Sequence, residues 1–173
     1  SGQAVRQWHH LMEVLEQEVG ARLERMQPIP GLPDLVFTAN AGVVMGRKAV
    51  PSRFRYAERQ KEETYFEDWF RTHGYDVLTL EKGLVFEGAG DLLGFPDGWF
   101  GGYRQRSDIR AFSIISEWFT KEILPLELVD SRFYHLDTCF CPLSGGELLY
   151  YPAAFDRYGR AAIAERIAPE RRL

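Results

Sequence analysis

Polar residues suited to binding a cation recur at three places in the sequence, each time just after an aromatic residue. The aromatic residues Phe37, Phe86 and Tyr134 are spaced 49 and 48 residues apart. A recurrence of this length is typical of a fold built from one repeated supersecondary unit. If the copies surround a common axis, the polar residues that follow converge on one site for a small cationic molecule. These polar residues are Thr38 and Asn40, Glu87 and Asp91, and His135 and Asp137.

The sequence around Glu87 indicates a buried carboxylate. Glu87 directly follows the apolar segment Leu84–Phe86 and lies shortly before Leu92, so we expect its side chain to leave solvent. A buried carboxylate needs a partner, and the flat fork of N–H donors in a guanidinium group suits a pair of carboxylates. His135 stands at the repeat position of Glu87, which favours a functional histidine over a core histidine bonded to a backbone carbonyl.

A metal site is an alternative use of the residues around His135. His135, Asp137, Cys139 and Cys141 alternate along one expected strand and would all face the same side of it. A strand rises about 3.3 Å per residue, which puts His135 and Cys141 roughly 20 Å apart, too far for one coordination sphere. We therefore interpret the two cysteines as packed thiols rather than as metal ligands.

Composition limits the class of protein. The chain has 173 residues, of which 45% are hydrophobic and 14% aromatic, so one domain with a substantial core is expected. The net charge of −4 argues against a nucleic-acid partner, and no apolar run reaches the length of a membrane span. The two cysteines are too near in sequence to bridge, which indicates a reducing, cytoplasmic location. No secretory signal is visible; the Ser1-Gly2 start is typical of a cloning remnant, so a processed leader stays open.

Helical and strand patterns alternate along the chain. The spacing of apolar residues predicts helices over 4–19, 57–73, 109–119 and 155–167. Short apolar stretches predict strands over 21–26, 35–38, 42–45, 49–50, 75–80, 126–129, 134–143 and 148–151. Pro96-Asp97-Gly98 predicts a hairpin turn, since proline presets φ and glycine accepts φ above zero. This alternation predicts an α/β fold with mixed strands, in which each repeat has its own small sheet.

Four motifs occur in an order known from one group of enzymes. They are Phe37-Thr38-Ala39-Asn40-Ala41-Gly42, Phe86-Glu87-Gly88-Ala89-Gly90-Asp91, Arg106-Ser107 and Phe133-Tyr134-His135-Leu136-Asp137-Thr138. Over nearly the whole chain, the sequence resembles the guanidine-modifying superfamily of arginine deiminase, dimethylarginine dimethylaminohydrolase, amidinotransferases, succinylarginine dihydrolase and arginine dihydrolase. The resemblance implies a pentein-type fold, which is a five-bladed α/β propeller. About three of its five ββαβ modules would be present as a single incomplete domain, at approximately 1–52, 53–102 and 103–173.

The resemblance also implies a role for each polar residue of the later copies. His135 would be the general acid and base of the reaction. Glu87 would orient both His135 and the guanidinium group of the substrate. Asp137, together with Asp91, would hold the guanidinium nitrogens.

Three further residues would bind the rest of the substrate. Arg106 and Arg59 resemble the arginines that clamp the substrate carboxylate in this family. Asn40 stands where deiminases carry an aspartate, and it matches the Ala-Asn-Ala of the dihydrolases. A neutral amide can both donate and accept, so it could also hold a ureido intermediate. That property favours removal of both terminal nitrogens over release of citrulline.

The nucleophile of the family is a cysteine near the C-terminus, and neither Cys139 nor Cys141 matches its motif. The resemblance therefore implies a hydrolase of arginine or an arginine derivative that works through cysteine, histidine and glutamate, with the cysteine outside this chain and the chain inactive by itself. It implies a small cationic guanidino substrate and neither a metal nor an organic cofactor. An open arc of three modules would expose apolar faces, so we expect self-association as a homo-oligomer.

Other functions remain open from the sequence. The same site could belong to an amidinotransferase, or to a module that binds arginine without catalysis. The polar motifs could also do no more than cap strands in an interaction protein. A metal hydrolase that uses His135 and Cys139 is a further alternative.

Overall fold

Each sheet of the structure is a small unit built around one antiparallel hairpin. The computed structural model describes residues 2–96 and 98–173, which contain one four-segment pattern of strands and helices repeated along the chain. The described strands are β1 Gly42–Met45, β2 Lys48–Pro51, β3 Asp76–Val77, β4 Leu92–Phe95, β5 Gly98–Tyr103, β6 Ile123–Glu127, β7 Phe140–Pro142 and β8 Leu148–Tyr150. β1 and β2 pair antiparallel and β3 joins β2 in parallel; β4, β5 and β6 repeat this arrangement.

The third sheet follows the same plan. β7 and β8 form its antiparallel hairpin. The Leu173 amide donates to the Leu148 carbonyl at 2.8 Å, and the Tyr150 amide donates to the Leu173 carbonyl at 3.1 Å. Residues 172–173 therefore lie parallel to β8, as β3 lies beside β2 and β6 beside β5. The expectation of an α/β fold with one small sheet per repeat is confirmed.

Helices make the crossovers that parallel pairing requires. The described helices are α1 Gly2–Gln17, α2 Ala57–Gln60, α3 Glu63–Thr72, α4 Ile109–Phe119 and α5 Arg157–Arg166. α3 leads from β2 to β3, α4 from β5 to β6, and α5 from β8 to residues 172–173. Asp108 begins α4 as its N-cap by accepting a hydrogen bond from the Arg110 amide. Within residues 2–96 and 98–173, no helix is long and apolar enough to cross a bilayer.

Two apolar clusters support the segments that carry the polar motifs. Phe86 and Leu136 are both fully buried, in separate clusters. Full burial of such side chains stabilises the fold by about 1.5–3 kcal/mol each. Packing in the cluster that contains Phe86 and Phe112 is tight at Gly101, where a Cβ would lie 2.7 Å from the Phe112 ring. Burial of Phe86 fixes the backbone of the next residue, Glu87. Burial of Leu136 does the same for the preceding residue, His135.

A short 3-10 helix precedes the first strand of every hairpin. These turns are Thr38–Asn40 before β1, Gly88–Gly90 before β4 and Leu136–Thr138 before β7. The residues directly before them are Phe37, Glu87 and His135. The structural counterpart of Glu87 and His135 is thus Phe37, so the alignment of Phe37 with Phe86 and Tyr134, which would pair Thr38 with Glu87 and His135, is wrong by one residue.

Several strand predictions fail where these turns occur. Residues 21–26 form no strand, and 35–38 lie in the turns Pro33–Val36 and Thr38–Asn40 and at Phe37 between them. The predicted strand 134–143 is interrupted by the turn Leu136–Thr138, and only Phe140–Pro142 of it is a strand. The helix predicted over 57–73 is two helices, α2 and α3, whereas α4 has the predicted bounds. The predicted turn at Pro96-Asp97-Gly98 includes Asp97, which lies outside the described residues.

Candidate active site

His135 is held between two buried carboxylates. Its Nε2 lies 3.3 Å from Glu87 Oε2, and its Nδ1 lies 3.3 Å from Asp91 Oδ2. The Nδ1 contact has the distance of an ion pair but not the alignment of a hydrogen bond. Burial by itself would lower the pKa of His135, but the adjacent carboxylates of Asp91 and Glu87 outweigh it and raise the pKa to about 9. The imidazole is therefore protonated at neutral pH.

Glu87 connects the histidine to the rest of the site. Its Oε2 also accepts from Arg106 Nη1 at 3.2 Å, and its Oε1 accepts from the Arg55 amide at 3.1 Å. Burial would raise the pKa of Glu87, yet the bonds from His135 and Arg55 and the charge of Arg106 lower it on balance. Glu87 is fully buried and remains ionised, because cationic partners surround its carboxylate.

Asp91 lies behind His135 and away from the opening. Its Oδ1 accepts from the Leu136 amide at 3.1 Å, and its Oδ2 accepts from the Ser107 hydroxyl at 2.6 Å. The same hydroxyl accepts from the Glu87 amide at 3.0 Å, so Ser107 joins the two carboxylate-bearing ends of the Gly88–Gly90 turn. Asp91 is fully buried, so the expectation that it holds the substrate directly does not fit this geometry. Its contacts instead orient the histidine.

Asn40 faces the histidine with its amide nitrogen. Asn40 Nδ2 donates to the Glu87 carbonyl at 3.1 Å and lies 3.4 Å from His135 Nε2. Its Oδ1 accepts from Arg59 Nη1 at 3.2 Å. A guanidinium group can only donate, so this contact assigns the oxygen of the amide. The turn also needs Gly90, because a Cβ there would lie 2.5 Å from Asn40 Nδ2.

Arg106 lies between two aromatic rings at the opening. Its guanidinium carbon is 4.6 Å from the Tyr56 ring centre and 5.0 Å from that of Tyr134. Both distances are in the range of cation–π contacts. The hydrogen bond to Glu87 uses Nη1 alone, so Nε and Nη2 remain for another acceptor.

Asp137 lies in the 3-10 turn after His135 rather than on a strand. The expectation that the two side chains share a strand face is wrong, because His135 is buried and Asp137 is exposed. Partial burial of the carboxyl group raises the pKa of Asp137, with Asp91 adding to the effect and the charge of His135 opposing it.

A cleft of about 560 Å³ opens in front of these residues. Five of the seven predicted site residues line it: Asn40, Arg59, Arg106, His135 and Asp137. Glu87 and Asp91 form the layer behind His135. Val36, Phe37 and Tyr134 add apolar surface to the cleft wall. The cleft thus combines a charged floor with an apolar rim, as small-molecule sites commonly do.

The sequence did not indicate several residues of the site. Ser107 and Tyr134 stood inside the quoted motifs without a role, and Glu62 and Tyr56 gave no signal. The contacts of Ser107, Tyr56 and Tyr134 within the site join residues 16 to 50 positions apart, which no local pattern contains. Glu62 lies between α2 and α3, and its 1% exposure identifies it as a buried acid that needs a partner.

The cysteines take different positions. Cys139 is buried and donates to the Leu136 carbonyl, whereas Cys141 on β7 is exposed, so the predicted shared face is wrong. Burial, aided by the charge of Asp137, raises the pKa of Cys139 to about 12. Such a thiol is not a nucleophile at neutral pH. Among residues 2–96 and 98–173, no group of three His, Cys, Asp or Glu residues is arranged to hold a metal ion.

Proteins of known sequence and structure resemble the chain closely. The bifunctional arginine dihydrolase/ornithine cyclodeaminase AgrE of Nostoc sp. is 51% identical over 172 residues, which are 98% of this chain and 24% of AgrE. The dimethylarginine dimethylaminohydrolase of Mycobacterium tuberculosis is 40% identical over 149 residues, 86% of this chain and 48% of that protein. No protein-family model matches the sequence.

Solved structures extend this similarity. The N-terminal domain of ArgZ, a cyanobacterial arginine dihydrolase bound to its substrate, superposes with a TM-score of 0.92 at 48% identity. The match covers 99% of this chain and 63% of that domain. The same ArgZ domain has also been solved covalently bound to a reaction intermediate. The chain therefore spans about a quarter of the length of AgrE and less than two thirds of the ArgZ domain.

Proposed function

Because the chain belongs to the guanidine-modifying superfamily, we propose that it forms the acid–base and guanidinium-binding part of a hydrolase acting on arginine or a close derivative. The chain has the pentein-type α/β fold of that family. The propeller arrangement, with modules at approximately 1–52, 53–102 and 103–173, is part of the proposal. Three hairpins that each gain a parallel strand support it.

The contact of His135 with two carboxylates is the observation that carries the proposal. A histidine with a pKa of about 9 enters the reaction protonated, so it can give a proton to a departing amine. After this transfer the neutral imidazole can take a proton from water. Glu87 stays ionised in both stages and stabilises positive charge beside the histidine.

The cleft residues suit a guanidinium group and its attached chain. We assign the guanidinium nitrogens to Asp137, which lines the cleft, while Glu87 acts on the charge of the site from behind His135. Arg106 lines the same cleft and keeps Nε and Nη2 available, so it is the proposed partner of the substrate carboxylate. Two cation–π contacts hold it near the opening.

A cysteine outside the present sequence is the proposed nucleophile. Its thiolate would attack the guanidinium carbon, and His135 would protonate the amine that leaves, giving a covalent amidino-thioether. Water, deprotonated by His135, would then attack the same carbon and release the thiolate. Cys139 is excluded from this role by its buried, protonated thiol, and Cys141 does not line the cleft. The covalent intermediate of the related ArgZ domain supports this sequence of steps.

Asn40 is the residue proposed to select hydrolysis of both terminal nitrogens. Its Nδ2 faces the position next to His135, where a neutral ureido oxygen would need a donor. The test is the Asn40→Asp variant of the full-length natural polypeptide with L-arginine. We expect the product to shift from ornithine toward citrulline. An unchanged ratio of citrulline to ornithine would refute this part of the proposal.

The central test is arginine turnover by the full-length natural polypeptide, followed through ammonia, citrulline and ornithine. We expect activity with L-arginine and a loss of about 10²- to 10⁴-fold in the His135→Gln variant. The matched control is His73→Gln, since His73 is exposed at the end of α3. Absence of turnover with binding retained would favour the arginine-binding module instead. Absence of both would refute the proposed function.

The cellular location and the oligomeric state also belong to the proposal. The unpaired cysteines Cys139 and Cys141 support a reducing, cytoplasmic location. Self-association is expected from the exposed apolar residues, among them Val5, Leu11 and Leu149. Light scattering tests it, and a monodisperse monomer would contradict it.

A further inference from the structure

The proton of the Ser107 hydroxyl has a fixed direction. Ser107 is 1% exposed, and it lies behind the cleft rather than in its wall. Its Oγ accepts from the Glu87 amide at 3.0 Å, because an amide N–H can only donate. The hydroxyl proton therefore points to Asp91, whose Oδ2 accepts it at 2.6 Å. This distance is typical of the strong bond between a hydroxyl and an ionised carboxylate.

The loop that carries Ser107 holds it in this place. The loop connects β5 to α4, and two backbone bonds fix it. The Arg104 amide donates to the Ser107 carbonyl at 3.1 Å, and the Asp108 amide donates to the Val85 carbonyl at 2.9 Å. Arg104 has a φ of 89°, which a residue with a side chain keeps only where its surroundings determine it. Ser107 is therefore held by its own backbone and not only by Asp91.

The oxygens of Asp91 are occupied without the histidine. Oδ1 accepts from the Leu136 amide at 3.1 Å, and Oδ2 accepts from Ser107. His135 Nδ1 lies 3.3 Å from the same Oδ2. Among the described residues, however, no acceptor is aligned for a hydrogen bond with this buried nitrogen. A buried donor without an acceptor is unfavourable, so the carboxylate would turn toward Nδ1 if nothing held it.

We propose that Ser107 is a positioning residue for His135: its hydroxyl holds Asp91 beside the imidazole as a charge and keeps the carboxylate from accepting a hydrogen bond from Nδ1. A hydrogen bond donated by an imidazolium ion favours the charged form. Without that bond at Nδ1, Nε2 gives its proton more readily to an amine in the cleft. This consequence for turnover rests on the proposed function, whereas the state of the imidazole does not.

Other titratable and charged groups also face His135, from each element that packs around it. They are Glu87, Asp137, Arg106, Cys139, Tyr134, and Arg59 behind the neutral Asn40. These side chains are the same in the parent and in the Ser107 variants. A change in the imidazole therefore reports on the bond between Ser107 and Asp91.

An NMR titration of His135 tests the proposal without a substrate. Histidine labelled with ¹³C at Cε1 is incorporated into the full-length natural polypeptide, and the His135 signal is the one missing from His135→Gln. In Ser107→Ala we expect Asp91 to turn toward Nδ1 and to raise the pKa of His135 by about half a unit or more. Ser107→Thr keeps the hydroxyl and should retain the parent value. The matched control is Ser113→Ala, since Ser113 is exposed on α4.

The outcome of the titration is decisive in either direction. An unchanged or lower pKa of His135 in Ser107→Ala would overturn the proposal. An equal change in Ser107→Thr would overturn it too, because the space around the serine rather than its hydroxyl would then matter. If Ser107→Ala does not fold, Ser107→Cys replaces it, since a thiol fills nearly the same space and donates only weakly. The same rise is expected there.

Turnover of L-arginine gives a readout that a packing role would not move. We expect Ser107→Ala to lower kcat at pH 7 by about three- to tenfold and to move the pH profile of kcat toward higher pH. KM should change less than about twofold, because Ser107 lies outside the cleft wall. A fall of kcat by the same factor at every pH would overturn the proposal. A raised KM with kcat unchanged would also overturn it and would place Ser107 in substrate binding.

The two proposals can fail separately. If the parent protein neither binds nor turns over L-arginine, the proposed function is refuted. The titration of His135 still decides the role of Ser107, since it needs no substrate.

Discussion

The protonation of His135 gives a stability that changes with pH in a predictable way. The unfolded histidine has a pKa of 6.5, against about 9 in the fold. This difference corresponds to roughly 3 kcal/mol of stabilisation. Because the folded pKa is the higher one, the stabilisation is complete below pH 6.5 and is lost as pH rises through 9. Between these values we expect the free energy of unfolding to fall by about 1.4 kcal/mol per pH unit.

The measurement is urea unfolding by circular dichroism at intervals from pH 6 to pH 9. The His135→Gln variant should lack the decline, since glutamine does not titrate. Glu87 does not contribute to the slope between pH 6 and pH 9. Its pKa is lowered in the fold, so the stability that it contributes is lost only as the pH falls through the acidic range. Cys139 starts to matter above pH 9, and it is present in parent and variant alike.

Two outcomes would refute this reasoning. One is an equal pH slope in parent and His135→Gln. The other is an NMR titration in which the imidazole signal missing from His135→Gln titrates at or below pH 6.5 in the parent. In either case the carboxylates of Glu87 and Asp91 would not hold the histidine as the distances of 3.3 Å indicate. The Asp91→Asn variant should show a pKa of His135 between that of the parent and 6.5.

Gly90→Ala should displace the Asn40 amide, because the added Cβ would lie 2.5 Å from Nδ2, and we expect the affinity for arginine to fall. The control is Gly94→Ala, which should keep the affinity, since its added Cβ has its nearest neighbour 3.7 Å away. Equal affinities in the two variants, measured by calorimetry, would contradict this. Thiol labelling with Ellman's reagent at pH 8 should modify Cys141 at once and Cys139 only after unfolding. Rapid reaction of both thiols in the native protein would show that Cys139 is accessible.

Sequence reasoning succeeded where a pattern was local and failed where a contact was distant. The helix Ile109–Phe119 was predictable because its apolar residues recur at helical spacing. The 3-10 turns before the hairpins could not be predicted from the sequence, since Thr38–Asn40 and Leu136–Thr138 contain no glycine or proline to mark them. Polar side chains in these turns look like strand residues by alternation alone.

The site residues show the same limit. Glu87 and His135 were predictable from their recurrence and from the family resemblance, and both meet in the structure. The role of Asp91 could not be predicted, because only the fold places its carboxylate behind the imidazole of His135. The role of Arg59 as a carboxylate clamp follows from the family resemblance alone, and its contacts with Glu62 and Asn40 are ones that the sequence does not indicate.

The contact of Asn40 with His135 joins residues 95 positions apart, and Glu87 bonds to both. During synthesis on the ribosome, the first two strand-and-helix units can form before His135 has left the exit tunnel. Until then Glu87 and Asp91 lack the imidazolium that lies between them in the folded protein. A nascent chain that pauses in this interval has two site carboxylates without their histidine. The charge of the site is balanced only when the third unit folds and brings His135 between them.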